Sequence, residues 1–514
     1  MLDLILNYNY GYQWYSNKNV NVKGYLFDEN NELFSNENLI DYFSSVKDIA
    51  GFKKKVSNAN GLFSVIVNVD NSVFFACDKT RTFPLFYTQF NHNIMVSDDS
   101  YAIKKNFRNG INTISEGEFL ASSFVSGSDT LLKGVFQVQA GEIVEINDGE
   151  CKPHLYHSYC LTQGEIELDE SQNKIKLLNI LERVTARLIR LAKGRQIVLP
   201  LSGGYDSRLL AALLKKNQYE NVICFTYGSK DSPEVLVSEK VAKELGFQWY
   251  FVEYTESTIP SDYPDTKIFK DYYKFASNHT SVFMTQDYFA VKYLYENDVV
   301  EKGAIFAPGH SGDFLAGSHL VADESLSRES LTESIVNKHY FQKKVNDLVK
   351  NKITQLVSSE DVDVQNIYSL KENFNFKERQ AKFIVNANRV YEYFGFKHAL
   401  PLWDSELIDF FKHLPLEYKY NCALYNDVIF DSYFKPLDIP YEKPKPSTSL
   451  VKVIVRKYIP KYIKDILIHW LSKDTYRLSL IHSPLEYQLI DKFYLSNING
   501  MLAEWYIQEI KNEE

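Results

Sequence analysis

The 514-residue sequence predicts a two-domain protein of mixed α+β and α/β class: antiparallel β layers packed with helices come first, and a parallel sheet with extra helices follows. Three observations predict it. Up to about residue 160, short runs of β-formers alternate with turn signals. Between residues 196 and 254, apolar strands alternate with helical stretches, the order of right-handed βαβ units. Beyond about residue 275 the apolar spacing is mainly helical. The change of character sets domains at 1–165 and 166–514.

In the first part, Gly61–Val69 and Ser72–Cys77 read as strands joined at the turn Asp70-Asn71. Phe83–Phe90 and Ile94–Ser97 read as a second hairpin around Asn91-His92-Asn93, and Val135–Ile146 continues the pattern. Next, Leu177, Leu181, Val184, Leu188 and Leu191 mark one stripe of a helix over Ile175–Leu191. The strand Gln196–Leu201, a glycine turn and a helix over Ser207–Lys216 follow. Val222–Tyr227 is the next strand. Ser232-Pro233 opens a helix that Gly246 ends, because a cap residue before proline at the first helical position is a start signal. Gln248–Tyr254 is strand-like again.

Composition excludes several classes. With 45% hydrophobic and 24% charged residues, the chain is neither disordered nor collagenous. A net charge of −9 argues against coating nucleic acid. The five cysteines are scattered without a C-x-x-C, so neither a disulfide framework nor a zinc site is expected. The first residues lack a basic region and a cleavage site, and no apolar run nears the ~18 residues of a membrane span. The expected compartment is the cytoplasm. One segment differs in charge: residues 435–477 hold ten Lys/Arg against four Asp/Glu. This is either a solvated helical face or an attractor of phosphates.

The sharpest local feature is Ser202-Gly203-Gly204-Tyr205-Asp206-Ser207, between a strand ending near Leu201 and a helix. Two glycines let backbone N–H groups approach a ligand, and the helix N-terminus favours anions. Asp206 beside phosphates makes sense if it holds Mg2+ against them. Neither G-x-G-x-x-G nor G-x-x-x-x-G-K-[ST] is present. The segment resembles the S-G-G-x-D-S loop of ATP pyrophosphatases.

Further segments resemble the asparagine synthetase family, which includes β-lactam synthetase. They are Asn60-Gly-Leu-Phe-Ser, Cys77-Asp78-Lys-Thr-Arg81-Thr-Phe-Pro84-Leu-Phe-Tyr87, Gly127-Ser128-Asp-Thr130-Leu131-Leu-Lys-Gly134-Val and Ala140-Gly141 in the first half. In the second half they are Pro308-Gly309-His310-Ser311-Gly312-Asp313-Phe314-Leu-Ala-Gly317, Leu400-Pro401-Leu402-Trp403-Asp404 with Leu414-Pro415, and Lys443-Pro444-Lys445-Pro446. The resemblance implies an N-terminal-nucleophile-hydrolase-like first domain and an ATP-pyrophosphatase second domain. It also implies an ATP-dependent amide-forming ligase that uses ATP and Mg2+.

By resemblance, Ser202, Gly203, Gly204 and Ser207 cradle the pyrophosphate, Gly309 allows close backbone approach, Leu201 and Asp206 belong to the same ATP site, and Asp206 and Asp313 hold the metal. Phe225 and Thr226 face the adenine or ribose. Lys443 or Lys445 carries positive charge to the α-phosphate. Two departures stand out. Leu2 occupies the place of the family's nucleophilic cysteine and has no nucleophilic atom, so the first domain reads as a retained scaffold. His310 replaces a glutamate and is read either as a base or as a structural or phosphate contact. Phe314 replaces an acidic residue.

The expected partners are a small-molecule, sugar or peptide carboxylate and either ammonia or an amine donor. A homodimer is left open, and neither nucleic acid nor a membrane span is expected. The rival reading is a non-catalytic or regulatory nucleotide-binding member of the family.

Overall fold

The computed structural model describes residues 2–90, 93–107, 110–161, 168–230, 232–255, 257–260, 262–320, 326–358, 367–441 and 498–513. Two sheets form the N-terminal part. The larger has seven strands and is centred on Val20–Phe27 and Asn60–Val69, paired antiparallel. The smaller has four, with Phe86–Phe90 against Asn93–Ser97 in its middle. Strand periodicity sorts the side chains. Val65, Val67, Phe74 and Ala76 face the helices Asn38–Phe43 and Ile49–Asn58. Ile66, Phe75 and Cys77 point the other way and meet Tyr87, Ile94 and Val96 between the sheets.

Three details correct the sequence reading. Val135–Ile146 is not one strand: Val135–Gln137 belongs to the smaller sheet and Glu142–Asn147 to the larger, and Gly141 turns between them at φ +74°. The second hairpin begins at Phe86, not Phe83. The layers are not wholly antiparallel, because Leu2–Ile5 runs parallel to Asn93–Ser97.

The C-terminal part is built on a five-stranded parallel sheet. Across it lie Gln248–Glu253, Val222–Gly228, Ile197–Pro200, Ile305–Phe306 and Lys397–His398. Both faces are covered, as a parallel sheet requires. Ile197, Leu199 and Cys224 pack on one side; Val198, Phe225 and Phe306 pack on the other. Helix Glu170–Ala192 carries a capping box at Asp169, helix Tyr205–Lys216 starts two residues earlier than predicted, and Pro233–Leu245 ends at Gly246 in the left-handed conformation. Among the described residues, no helix is long and apolar enough to cross a membrane.

Chain order and spatial order diverge at one place. The second and third strands of this sheet lie on one side of Ile197–Pro200, and the fourth lies on the other. The loops after Pro200 and after Phe306 therefore leave the sheet side by side and open a crevice, the usual ligand position in such sheets.

Candidate functional site

The crevice at the sheet's switch point is a cleft of about 580 Å3 lined by Ser202–Ser207, Gly309, Asp313 and Tyr425. Gly204 caps the following helix, so the loop's N–H groups and the helix start share one anion-favouring end. Ser202 and Ser207 hydroxyls lie 3.1 Å apart, and Ser207 Oγ also accepts the Ser202 N–H at 3.1 Å. From behind, buried Arg208 donates to Gly203 O at 2.7 Å, to Gly204 O at 3.2 Å and to Pro440 O. Its guanidinium also lies over the Tyr205 and Phe434 rings. The loop is also braced from within, because the Gly204 N–H donates to Ser202 Oγ at 3.2 Å.

The second loop closes against the first. A Cβ on Gly309 would sit 2.5 Å from Ser207 N, so only glycine allows this approach. Ser311, at φ +66°, turns the chain into the short helix Gly312–Leu315 and donates to Gln380 Oε1 at 2.8 Å. A left-handed non-glycine residue carries strain and is common at functional loops. The turn places Asp313 N–H on Asp206 Oδ2 at 3.0 Å, while Tyr425 OH donates to Asp206 Oδ1 at 2.9 Å. Burial and the negative charge of Asp313 push the Asp206 carboxyl up to about 7. Asp313 itself is exposed and accepts from Ser318 Oγ at 3.0 Å.

A second cavity, of about 470 Å3, adjoins the cleft across Asp206, Gly309, Asp313 and Ser318. His310 lines it, and burial lowers that imidazole's pKa despite the charges of Asp287 and Asp313.

The structure thus gathers Ser202, Gly203, Gly204, Asp206, Ser207, Gly309 and Asp313 at one place, with His310 just beyond. It does not bring Leu201, Phe225 or Thr226 to the cleft. Leu201 is buried, its N–H on Phe225 O at 2.8 Å. Phe225 is fully buried against Phe306, and Thr226 OH donates to Leu201 O at 2.7 Å. All three are buried in the sheet and core and do not line the cleft. Lys443 and Lys445, with the basic segment beyond Tyr441, lie outside the described residues. Tyr425, Ser318, Arg208, Arg379 and Gln380 escape the sequence reading. Arg208 directly follows the loop and Ser318 the Pro308–Gly317 segment, where the motifs assign neither a role; Tyr425, Arg379 and Gln380 come from positions with no motif, and only the fold carries them here.

Two residues in the resembling segments are architectural. Asp404 accepts Arg187 Nε at 2.7 Å and Nη2 at 2.9 Å, a bidentate pair, and caps the helix Ser405–His413. Cys77 is buried between the sheets, and burial pushes its thiol up to about 12. A thiol so held is not a nucleophile.

A strand–glycine loop–helix phosphate site at the switch point of a parallel sheet, faced by a second carboxylate loop, defines a nucleotide-binding α/β protein. The asparagine synthase family model matches residues 184–463, more than half of the chain, and the chain belongs to that family. Among curated proteins it is 26% identical over 200 residues to the microcin J25-processing protein McjC of Escherichia coli, covering 38% of this chain and 36% of that protein. It is 27% identical over 218 residues to the glutamine-hydrolysing asparagine synthetase of Gallus gallus, covering 39% and 36%. The chain thus spans little more than a third of the length of either relative. Among solved structures, the NH3-dependent NAD synthetase of Campylobacter jejuni matches at 14% identity and a TM-score of 0.22, over 41% of this chain and 94% of that one.

Proposed function

We propose that this protein is an ATP-dependent amide-forming ligase that activates a carboxylate as its adenylate. The observation that carries the reading is the meeting of Asp206 and Asp313 over the Ser202–Ser207 loop. A carboxylate oxygen attacks the α-phosphorus of ATP, the bond to the β-phosphate oxygen breaks, and pyrophosphate leaves. An amine nitrogen then attacks the acyl carbon, loses a proton, and AMP departs. Loop amides and the Ser202 and Ser207 hydroxyls hold the departing pyrophosphate, where charge accumulates. The two loops fix both reactants at one place.

Asp206 and Asp313 are the residues that would hold Mg2+. Their fit rests on two carboxylates set beside a phosphate loop, where burial and the charge of Asp313 raise the Asp206 pKa to about 7 and a bound cation would relieve both. When bound, that ion neutralises phosphate charge. His310 lines the adjoining cavity with a pKa lowered by burial, and on this reading it accepts the amine proton.

Residues 1–165 act here as a scaffold. Gly127 N–H donates to Glu378 at 3.0 Å and Tyr12 OH to His398 O at 2.9 Å, tying that part to elements that build the site. The nitrogen then comes from ammonia or from an amino group on a substrate. The test is ATP–pyrophosphate exchange with a panel of acids, followed by amide formation with ammonium, glutamine or no added amine. Acid-dependent exchange and ammonium-dependent product support the reading. ATP binding without exchange for any acid favours a regulatory nucleotide-binding role and overturns it.

A further inference from the structure

The second cavity is faced by an imidazole that the reading above does not use. His319 lines it together with His310, Asp313 and Phe314. Its position is built by the turn that follows Gly312–Leu315. Gly317, at φ +100°, lies so close to Lys419 that a Cβ there would meet Lys419 O at 2.5 Å. Ser318 then donates its N–H to Asp313 O at 2.9 Å and its hydroxyl to Asp313 Oδ2 at 3.0 Å. The His319 ring stacks on Phe314, with centroids 4.8 Å apart. One short turn therefore fixes both the imidazole and the Asp313 carboxylate.

Behind the ring stands a carboxylate. His319 Nε2 is 3.5 Å from Glu372 Oε1, and Lys419 Nζ reaches the same oxygen at 2.5 Å. The His319, Glu372 and Lys419 side chains are 8%, 3% and 1% exposed, so bulk water is kept from the group. Burial opposes a charge on Glu372, but Lys419 and His319 hold its carboxyl below the ordinary value. The resulting carboxylate draws the proton of a neutral imidazole to Nε2 and leaves Nδ1 as the acceptor. Nδ1 is buried and has no hydrogen-bond partner among the described residues, where buried polar atoms normally find one. An imidazole oriented by a third group is the arrangement of an activated proton acceptor, and such contacts tighten when the reactants bind.

Amide formation from an ammonium needs two acceptors. An acyl-adenylate and an ammonium yield an amide, AMP and two protons. The first proton leaves nitrogen before attack and frees the lone pair that forms the C–N bond. The second leaves after attack, when the acyl C–O bond breaks and its electron pair stays on the phosphate oxygen of AMP. An imidazole that already carries the first proton cannot take the second. Arg379 and Lys338 line the same cavity, and like charges disfavour the protonated form of an amine beside them. The carboxylates in the lining, Asp206 and Asp313, belong to the wall shared with the phosphate cleft. We propose that His319, backed by Glu372, takes the proton from an amine donor that enters the cavity in its ammonium form, while His310 takes the proton released on amide formation. This deepens the ligase reading and rests on it. His319 is a catalytic residue on this account, and Glu372 is a positioning residue.

The test uses the full chain with Mg-ATP and an acid that supports pyrophosphate exchange. Amide formation is measured with ammonium and with hydroxylamine, which is unprotonated at neutral pH and has one proton to lose. Each rate is divided by the rate of exchange, which reports adenylation alone. His319→Gln is expected to lower the ammonium ratio about a hundredfold, the size of one general base, and the hydroxylamine ratio far less. Glu372→Gln is expected to act in the same direction, and imidazole added to His319→Ala to restore part of the ammonium reaction, with circular dichroism unchanged in both histidine variants. Equal loss with the two amines is the mark of a structural role and overturns the proposal. So does full ammonium activity in His319→Gln, or exchange in the native protein without transfer to ammonium. Native protein that exchanges with no acid ends the ligase reading and this proposal together, whereas the other adverse results end the proposal alone.

Discussion

Asp206 Oδ2 accepts the backbone N–H of Asp313 at 3.0 Å, so the two loops that leave the sheet at its switch point are joined through the side chain of one and the amide of the other. The bond orients Asp206 and sets a second carboxylate beside it.

Gly309 is the steric counterpart of that bond. A methyl group there meets Ser207 N at 2.5 Å and Ser207 Cα at 2.7 Å, both backbone atoms that cannot step aside. Gly309→Ala is expected to cost about 1–3 kcal/mol by overpacking and to weaken ATP binding more than it weakens the fold. Urea denaturation and nucleotide titration of the same variant separate the two effects.

Arg208 holds the phosphate loop through carbonyls on three residues, including Pro440, which precedes the lysine-bearing segment. Arg208→Met is expected to raise the KM for ATP about tenfold or more, since it removes charge-assisted hydrogen bonds. Arg208→Lys is expected to rescue little, because Nε, Nη1 and Nη2 each reach a different carbonyl and the single nitrogen of an ammonium cannot span all three positions. Steady-state kinetics of the two variants check this.

The Glu378–Lys382 pair is buried, and burial pulls the lysine down to about 8. Removing one partner strands the other charge. Lys382→Met or Glu378→Gln alone is expected to destabilise the protein by about 3–5 kcal/mol, and the double change by much less. A double-mutant cycle in urea measures it.

His398 is fully buried among Tyr12, Phe83 and Tyr391, with Lys23, Arg389, Glu392 and His310 bearing on its charge. Burial lowers its pKa from 6.5 to about 4. The unfolded chain therefore binds more protons between those values, so this stability is present above pH 6.5 and is lost as pH falls towards 4. His339, lowered to about 3, acts in the same direction. His398→Phe is expected to flatten the acid limb of the stability profile by up to about 3 kcal/mol. Thermal melts from pH 4 to 7 read it directly.

Much of the site was legible in the sequence because its chemistry is local. A glycine pair between strand and helix, a proline-led helix start and a glycine stop each act over a few residues, and those signals locate the loop and the helices; Gly309 and Asp313 are legible only through the family resemblance of Pro308–Gly317. Phe225 and Thr226 show the limit. They are consecutive and point to opposite faces of the sheet, and Phe306 on one face and Leu201 O with Ser238 Oγ on the other bury both. Tyr425 and Arg379 could not be read at all: they are separated from the loop by more than 170 residues, and only the packing of late helices brings them near. Val135–Ile146 misled because the β pattern persists across a glycine at which the chain changes sheets.

The central claim is that the Asp206–Asp313 cleft activates a carboxylate with ATP. The most direct measurement is acid-dependent exchange of labelled pyrophosphate into ATP with Mg2+, comparing the native protein with Asp206→Ala and Asp313→Ala. The account predicts exchange in the native protein and a loss of at least about a hundredfold in either variant, the size of removing one charge-stabilising group from such a site. Exchange that persists undiminished in both variants would contradict it.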